Sequence, residues 1–235
     1  MKFIGRTHQG RIRENNEDAL AYDVEFGVAV LADGMGGLQA GELASQAAVD
    51  AVLEILQVRT IDPALVTKCV DLANSRVREL ADGRKSLGNM GTTLVLWAVS
   101  GSDRCIIAHV GDSRAYRYRD RHLFRLTSDH SVVQGMVDEG LMTPEEAQVA
   151  SNRNVITRAV GLAATVVSEV VELAFQPGDR FLLCSDGLTD LLTDSEIVAI
   201  LNEADSATVP DLLISAANEA GGTDNISVLF IAPDE

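Results

Sequence analysis

The order of the hydrophobic segments is the feature that most constrains how this chain can fold. A short apolar run at 26–32 ends in Asp33-Gly34, which is typical of a buried strand followed by a turn. Two amphipathic helices are then predicted, one from Ala40 and one over about 63–81, because their apolar residues recur with i, i+3, i+4 spacing. The predicted order therefore begins with one strand and a pair of helices.

Strand signals then come close together. The predicted strands are 92–99, 104–110, 115–118, 122–126, 165–173, 180–184 and 226–231. The first four are predicted to form a meander. A capping box at 193–196 and the apolar spacing of 209–220 predict a second pair of helices. Helix pairs between groups of strands favour an α+β fold in which helices cover sheets, over a doubly wound parallel sheet.

Residues 131–156 differ in character from the strands around them. They are rich in polar residues, and Thr143 to Glu146 form a capping box that predicts the start of a short helix. We expect small helices here, inserted between strands as a mobile flap. The chain has no internal repeat and no linker rich in Pro, Gly or Ser, so one domain is predicted for residues 1–235.

The charge and the cysteines limit the partners and the compartment. Lys and Arg number 19 against 35 Asp and Glu, so the net charge is −16, which disfavours nucleic acid and anionic membranes as partners. Cys69, Cys105 and Cys184 lack metal or disulfide spacing and predict buried thiols in a reducing compartment. Residues 1–7 lack an apolar signal core, and a cytoplasmic protein is therefore expected.

Aspartates stand beside the ends of several predicted strands. They are Asp18, Asp33, Asp112, Asp186 and Asp224. An Asp-Gly pair is also a common hairpin turn, so Asp33-Gly34 and Asp186-Gly187 taken alone favour ordinary turns. If the carboxylates converged, two of them about 4 Å apart would repel by about 4 kcal/mol, and cations or protons would be needed. Oxygen ligands without a nearby His or Cys pair favour Mg²⁺ or Mn²⁺ over Zn²⁺.

Seven short motifs follow one another along the chain. They are Arg13-x-x-Asn16-Glu17-Asp18, Asp33-Gly34-Met35-Gly36-Gly37, Gly91-Thr92-Thr93, Val110-Gly111-Asp112-Ser113-Arg114, Leu126-Thr127-x-Asp129-His130, Ser185-Asp186-Gly187-Leu188-Thr189-Asp190 and Gly222-Thr223-Asp224-Asn225. In this order they resemble the motifs of the metal-dependent protein phosphatases of type 2C, in their short bacterial form. The resemblance implies a four-layer αββα sandwich of two antiparallel sheets flanked by helix pairs.

The resemblance also implies a binuclear Mn²⁺ or Mg²⁺ centre at one end of the sandwich. Asp33 would bridge both ions, and the carbonyl group of Gly34 would bind one of them. Asp186 and Asp224 would hold the other ion.

Three further ligands are implied in the same way. Glu17 and Asp18 would act largely through metal-bound waters, which suits ions that lose their water reluctantly. Asp112, together with Asp186, would match the third and weaker metal site of bacterial members.

The catalytic residues implied by the resemblance are Arg13, Asp33 and Asp186. A water between two cations about 3.5–4 Å apart becomes acidic enough to attack phosphorus in line with the leaving Ser or Thr oxygen. The guanidinium group of Arg13 would hold the phosphate oxygens, since it supplies paired donors and charge. Outside the motif, Arg13 would be interpreted as a surface arginine.

The chain departs from the family where many members carry a histidine beside the Asp33 motif. Met35 and Leu38 stand at the two positions concerned. The proton donor to the leaving group is therefore open, and a metal-bound water is one candidate. His130 beside Asp129 is another, although a structural role in a turn is more typical of such a histidine.

The predicted function is a metal-dependent phosphatase that acts on phosphoserine and phosphothreonine in proteins, opposes a Ser/Thr kinase and is a monomer. One alternative is the sporulation-regulator branch of the same superfamily, which usually carries sensor domains for which 235 residues leave little room. A non-catalytic scaffold should have lost metal carboxylates, whereas Asp18, Asp33, Asp186 and Asp224 are present. A two-metal nuclease is disfavoured by the negative charge.

Overall fold

The computed structural model describes residues 1–36, 40–83 and 90–233; Gly37 and Leu38 lie outside the described residues. The strands are β1 (Lys2–His8), β2 (Asp18–Asp23), β3 (Val28–Met35), β4 (Gly91–Thr92), β5 (Leu94–Val99), β6 (Arg104–Val110), β7 (Arg114–Arg119), β8 (His122–Arg125), β9 (Glu169–Ala174), β10 (Arg180–Cys184) and β11 (Ile226–Ala232). The helices are α1 (Ala40–Leu56), α2 (Pro63–Gly83), α3 (Val132–Asp138), α4 (Pro144–Val149), α5 (Asp186–Thr189), α6 (Asp194–Glu203) and α7 (Val209–Glu219).

The strands form two antiparallel sheets that pack face to face. The first sheet has the order β1-β11-β10-β7-β8, and the second has the order β2-β3-β5-β6-β9 with β4 beside β3. Phe3, Trp97, Phe181 and Leu229 belong to the apolar layer between the sheets. Helices α1 and α2 cover the outer face of the second sheet, while α6 and α7 cover that of the first. The predicted αββα sandwich is confirmed.

Strand β5 shows why the sheets lie in the middle of the four layers. Its alternate residues Leu94 and Leu96 pack with the helix pair α1 and α2, and Val95 and Trp97 pack between the sheets. Because both faces are covered by apolar groups, the strand is a continuous apolar run rather than an alternating one. Apolar runs of this kind made most of the central strands recognisable in the sequence.

Three sequence predictions need correction. Strand β3 does not end in a turn at Asp33-Gly34 but continues to Met35, with Asp33 paired to Asp18 and Gly34 to Thr92. The predicted meander is wrong as well, because the chain crosses from one sheet to the other between β6 and β7. Strand β9 begins at Glu169, four residues later than predicted, where it meets the end of its partner β6.

Other elements were predicted with bounds close to those observed, and some were missed. Helices α1, α2, α6 and α7 correspond to the predicted ones, and the capping boxes that begin α4 and α6 are both present. Strands β1 and β2 and the single-turn helix α5 were not predicted. None of the helices in the described ranges combines the length and the apolarity needed to span a membrane.

Residues 131–156, here called the flap, contain the two short helices α3 and α4. Ser131 caps α3 through its side chain, which accepts a hydrogen bond from the N–H group of Gln134. The predicted small helices are therefore confirmed. Elsewhere, the three cysteines are buried free thiols, and burial raises the pKa of each to about 12.

Candidate metal centre

Five acidic residues that are far apart in the sequence meet at one end of the sandwich. Asp18 begins β2, Asp33 lies near the end of β3, and the two residues are direct partners in the sheet. Asp112 lies between β6 and β7, Asp186 begins α5 directly after β10, and Asp224 comes just before β11. The charges of Asp18, Asp112, Asp186 and Asp224 all act on Asp33. The structure therefore brings the predicted carboxylates together.

Asp33 is fixed through its backbone by the threonines of the Gly91-Thr92-Thr93 motif. Its N–H group donates to Oγ1 of Thr93 over 2.9 Å, and its carbonyl oxygen accepts from the N–H group of Thr93 over 2.8 Å. The hydroxyl of Thr92 donates to the same carbonyl oxygen over 2.8 Å. Because the main chain of Asp33 is satisfied by these contacts, its side chain is held at a defined position in the site.

Two of the converging carboxylates carry an oxygen without a partner. Oδ2 of Asp18 accepts a hydrogen bond from the Ser185 hydroxyl over 2.9 Å. Within the part of the chain that the structure describes, buried Oδ1 of Asp18 and buried Oδ1 of Asp186 have no hydrogen-bond partner. Burying a polar atom without a partner is costly. These two oxygens are therefore available to bind a hydrogen-bond donor or a cation from outside the chain.

Burial and mutual repulsion make these acids reluctant to ionise together. Burial raises the pKa of Asp18 to about 6 and that of Asp112 to about 6. The pKa of Asp33 lies well above its usual range, first because of burial and then because of the charges on its carboxylate neighbours. The pKa of Asp186 is raised well above its usual range for the same two reasons. A cation between the carboxylates would remove this penalty.

Glu17 lies at the rim of the cluster, held by main-chain contacts. Its N–H group donates to Oδ1 of Asn225 over 2.8 Å, and its carbonyl oxygen accepts from the Ser45 hydroxyl over 2.6 Å. A Cβ on Gly41 would stand 2.4 Å from Oε2 of Glu17, and a Cβ on Gly34 would stand 2.1 Å from the Gly41 carbonyl oxygen. Only glycine allows β3 and α1 to approach this closely beside Glu17.

Arg13 lies at the mouth of the acidic cluster. Its Nη2 donates to Oδ2 of Asp224 over 2.7 Å, and this hydrogen bond raises the pKa of the guanidinium group. The side chain of Arg13 is 54% exposed, so part of its donor fork faces solvent. An exposed guanidinium beside a group of carboxylates is placed to receive an anion that binds next to them.

His130 links the loop that carries Asp112 to β9 and to the segment that follows the flap. Its Nδ1 accepts from the N–H group of Gly111 over 3.1 Å, so Nε2 carries the proton and faces Oε1 of Glu169 at 3.1 Å. Thr157 donates its N–H to the carbonyl oxygen of His130 over 2.7 Å. Both ring nitrogens are engaged, in agreement with the structural role that the sequence favoured.

Comparison with known proteins identifies the family. The family Protein phosphatase 2C matches residues 4–212. The chain belongs to the protein phosphatase 2C family. It is 36% identical over 239 residues to the serine/threonine phosphatase stp of Listeria monocytogenes, covering 97% of this chain and 94% of that protein. The predicted family is therefore confirmed, and with it the enzyme class, a protein phosphatase.

Solved structures of the protein phosphatase 2C family show the same fold. The serine/threonine phosphatase PstP/Ppp of Mycobacterium tuberculosis matches with a TM-score of 0.92 and 36% identity, covering 97% of each chain. The catalytic domain of PstP in complex with two manganese ions matches with a TM-score of 0.89 and 36% identity, covering 97% of this chain and 96% of that one.

The residues present in this phosphatase fit a divalent metal centre. The converging donors are carboxylate oxygens, and two of them are buried without a partner. Hard oxygen ligands of this kind suit Mg²⁺ and Mn²⁺. A metal centre at this place would also explain why several acids lie close together although their proximity raises the pKa values of Asp33 and Asp186.

Several residues that shape the phosphatase site were quoted in its motifs without a role. Ser185 donates to Asp18, while the side-chain amide of Asn225 donates to the carbonyl oxygens of Gln9 and Asn15. The hydroxyl of Thr93 shares a 2.7 Å hydrogen bond with that of Ser113, which ties the loop before β7 to Asp33. Their presence in the quoted motifs was the only signal in the sequence. Of the two positions at which the chain lacks the histidine of many family members, Met35 lies in β3 beside Gly91, and Leu38 lies outside the described residues.

Proposed function

We propose that this chain is a Mn²⁺- or Mg²⁺-dependent phosphatase that hydrolyses phosphoserine and phosphothreonine in proteins. The observation that carries the proposal is the group of buried and half-buried carboxylates at one end of the sandwich, with buried acceptor oxygens on Asp18 and Asp186 left unpartnered in the described chain. The serine/threonine phosphatases that the chain resembles over nearly its whole length support the substrate class.

The motifs and the convergence of the carboxylates support a proposed set of metal ligands. Asp33, Asp186 and Asp224 would hold two ions, with the carbonyl group of Gly34 as a further donor and with Glu17 and Asp18 acting through bound water. Asp112 with Asp186 would hold a third ion. When bound, the ions supply Lewis acidity to water and positive charge to the phosphate oxygens.

The chain itself binds and orients the phosphate. The exposed guanidinium group of Arg13 donates to two phosphate oxygens and is held at the correct place by its hydrogen bond to Asp224. Water adds to phosphorus, the bond from phosphorus to the Ser or Thr oxygen breaks, and that oxygen takes up a proton. Met35 has no proton to give, and Nε2 of His130 is directed at Glu169, so we propose neither residue as the proton donor.

Two other functions are less well supported. A scaffold that only binds partners has no reason to keep five acids together at the cost of raised pKa values for Asp18, Asp33, Asp112 and Asp186. A nuclease would need a positive surface for the phosphate backbone, whereas the net charge is −16. The sporulation-regulator branch would use the same chemistry on another class of phosphoprotein.

We further propose that residues 1–235 form one catalytic domain with the flap as a mobile part of it, working as a cytoplasmic monomer that opposes a Ser/Thr kinase. The continuous apolar layer between the sheets, which joins residues from Phe3 to Ile231, supports the single domain. Nucleic acid and membranes are not proposed as partners.

The experiment that tests the function is phosphate release from a phosphothreonine peptide by the purified chain. Release should require added Mn²⁺ or Mg²⁺, stop on addition of excess chelator and return when the metal is restored. A phosphotyrosine peptide of the same sequence should be hydrolysed much more slowly. Metal-independent release, or no release although calorimetry shows Mn²⁺ binding, would contradict the proposal.

A further inference from the structure

The loop that carries Arg13 joins β1 to β2 and comprises residues 9–17, here called the arginine loop. Asn225 closes this loop near both of its ends. The side-chain amide of Asn225 donates to the carbonyl oxygen of Gln9 over 2.9 Å and to that of Asn15 over 2.8 Å. The arginine loop is therefore tied to the segment just before β11, which also supplies a carboxylate to the candidate metal centre.

The start of the arginine loop packs directly against that segment. Gly10 has a φ of +81°, and a Cβ at this position would stand 2.1 Å from the carbonyl oxygen of Asp224. The N–H group of Arg11 donates to the carbonyl oxygen of Gly222 over 2.7 Å. Because glycine tolerates both this φ and this close approach, the main chain of the loop is held next to Asp224.

The main chain on both sides of Gln9 is fixed. His8 before it is the last residue of β1 and pairs with Ile226 of β11. Gly10 after it is held by its N–H group, which donates to Nδ1 of His8 over 2.9 Å. The side chain of Gln9 therefore extends from a main-chain position that the sheet and the turn both define.

Arg13 is held at two points. Its guanidinium group donates to Asp224 over 2.7 Å, and its carbonyl oxygen accepts from Nε2 of Gln9 over 2.6 Å. Within the ranges that the structure describes, the contact with Gln9 is the only hydrogen bond to the main chain of Arg13. Removing the amide of Gln9 would therefore release the main chain of Arg13 and leave only its side-chain contact with Asp224.

The position of Arg13 matters because its surroundings are acidic. The charges of Asp224, Asp186 and Asp33 all act on its guanidinium group, and the net charge of the chain is −16. A phosphate group that enters this site needs donors that already point at it. An arginine held in place loses less freedom on binding than a mobile one, and a displacement of about 1 Å can lower a rate about a hundredfold.

We infer that Gln9 is a positioning residue for Arg13: its amide group holds the main chain of Arg13 so that the guanidinium group points at the phosphate group of the substrate. The inference rests on the proposed function, because it requires Arg13 to bind phosphate. Gln9 lies before the first of the seven motifs, so the sequence assigned it no role. It touches neither phosphate nor metal and acts through Arg13.

Gln9→Met tests this role, because methionine has about the length of glutamine and no donor. With Mn²⁺, kcat/KM for a phosphothreonine peptide should fall about threefold to tenfold, the effect of losing one hydrogen bond. The matched control is Gln46→Met. Gln46 on α1 is also exposed and also donates through Nε2, to Oδ1 of Asp50 over 2.9 Å, and its replacement should leave kcat/KM unchanged.

A double-mutant cycle shows whether Gln9 acts through Arg13. Gln9→Met should lower kcat/KM in the wild-type background. In an Arg13→Ala background, measured at higher enzyme concentration, it should change kcat/KM by less than about twofold. A general loosening of the fold would lower kcat/KM by the same factor in both backgrounds.

Two readouts do not depend on turnover. The dissociation constant of inorganic phosphate from the Mn²⁺-loaded chain should rise in Gln9→Met by about the factor by which kcat/KM falls, and Mn²⁺ affinity measured by calorimetry should not change. In the metal-free chain, amide hydrogen exchange of residues 11–14 should become faster in Gln9→Met and not in Gln46→Met.

The outcomes separate this inference from the proposed function. No hydrolysis of the phosphopeptide by the wild-type chain with Mn²⁺ would overturn the proposed function and the inference with it. Hydrolysis that Gln9→Met leaves unchanged would overturn the inference alone, as would an equal fall in the Arg13→Ala background or a loss of Mn²⁺ affinity. A fall in kcat/KM and in phosphate affinity that requires Arg13 would establish it.

Discussion

The carboxylates in the interior of this molecule have two kinds of surroundings. Some have arginine neighbours, and others have acidic neighbours. Asp179, before β10, is only 1% exposed, and Arg119 donates to it through both Nε, over 2.6 Å, and Nη2. Asp129 is held in the same manner by Arg114 and Arg125. For these two acids the chain supplies the positive charge itself.

At the candidate metal centre the neighbours of a buried acid are other acids. The charges that act most strongly on Asp33 are those of Asp18, Asp186, Asp112 and Asp224, and all of them raise its pKa. This difference in the charge of the neighbours distinguishes acids that stabilise the fold from acids that are available to bind a ligand. Asp129 and Asp179, whose charged partners are arginines, are structural, whereas acids that face other acids, Asp224 with its contact to Arg13 included, need a cation from outside the chain.

The largest effect should come from Asp33→Asn. We expect metal-dependent hydrolysis to fall by at least about a thousandfold, because a proposed metal ligand is lost. Thermal stability without metal should not fall, since the amide removes a buried charge next to four others. Added Mn²⁺ should raise the Tm of the wild-type chain and not that of the variant. Retained hydrolysis in Asp33→Asn would contradict the metal assignment.

The converse change, Asp179→Asn, should act on stability alone. Leaving Arg119 without its carboxylate should lower the free energy of unfolding by about 3 kcal/mol, as for other broken buried ion pairs. Denaturant unfolding should show the same loss with and without Mn²⁺, and hydrolysis below the transition should stay normal. If the loss appeared only with metal bound, the distinction between the two groups of acids would fail.

The stability of the metal-free chain should fall as the pH rises. The pKa values of Asp18 and Asp112 are about 6 in the folded chain against an ordinary value of 3.8, and those of Asp33 and Asp186 are also raised. Between about pH 4 and pH 6 and above, the folded state therefore holds more protons than the unfolded state, so unfolding becomes easier with rising pH.

Urea unfolding in the presence of chelator measures this dependence. The free energy of unfolding should fall by on the order of 2 kcal/mol across the window, and Asp33→Asn should show a smaller fall. Bound Mn²⁺ should reverse the slope, because metal binding requires ionised carboxylates. A flat profile without metal would show that the acids are already neutralised by the chain.

Arg13→Lys tests the arginine that is hydrogen-bonded to Asp224 of the candidate metal centre. We expect kcat/KM for a phosphothreonine peptide to fall about tenfold, because an ammonium group cannot donate two parallel hydrogen bonds to phosphate. The matched control is Arg6→Lys, whose arginine pairs with Asp211 away from the site and whose replacement should leave kcat/KM unchanged. Equal effects of both variants would contradict the role of Arg13.

The smallest effect should come from an acid that is paired but not buried. Glu172 accepts from Arg104 over 2.9 Å at the surface, and this hydrogen bond lowers its pKa. Glu172→Gln should produce no measurable change in Tm or in hydrolysis, since exposed ion pairs contribute little. A clear loss of stability would show that pairing alone, without burial, distinguishes the two groups of acids.

Much of the fold could be predicted from local patterns. The i, i+3, i+4 spacing located α1 and α2, the capping boxes located the starts of α4 and α6, and apolar runs located the central strands. Strands β1 and β2 were missed because their exposed residues interrupt the apolar pattern, and α5 was missed because one turn carries no periodic signal.

The correction at Asp33 shows where local reasoning fails. Asp-Gly is a common turn sequence, yet here Asp33 and Gly34 stay in β3 because Asp18 and Thr92 pair with them from distant parts of the chain. The sequence determined the layers, the identity of the acids and, through its motifs, the family. Only the tertiary structure decided which acids meet each other and which meet arginines, because Arg13 reaches Asp224 across 211 residues and a linear pattern contains no such distances.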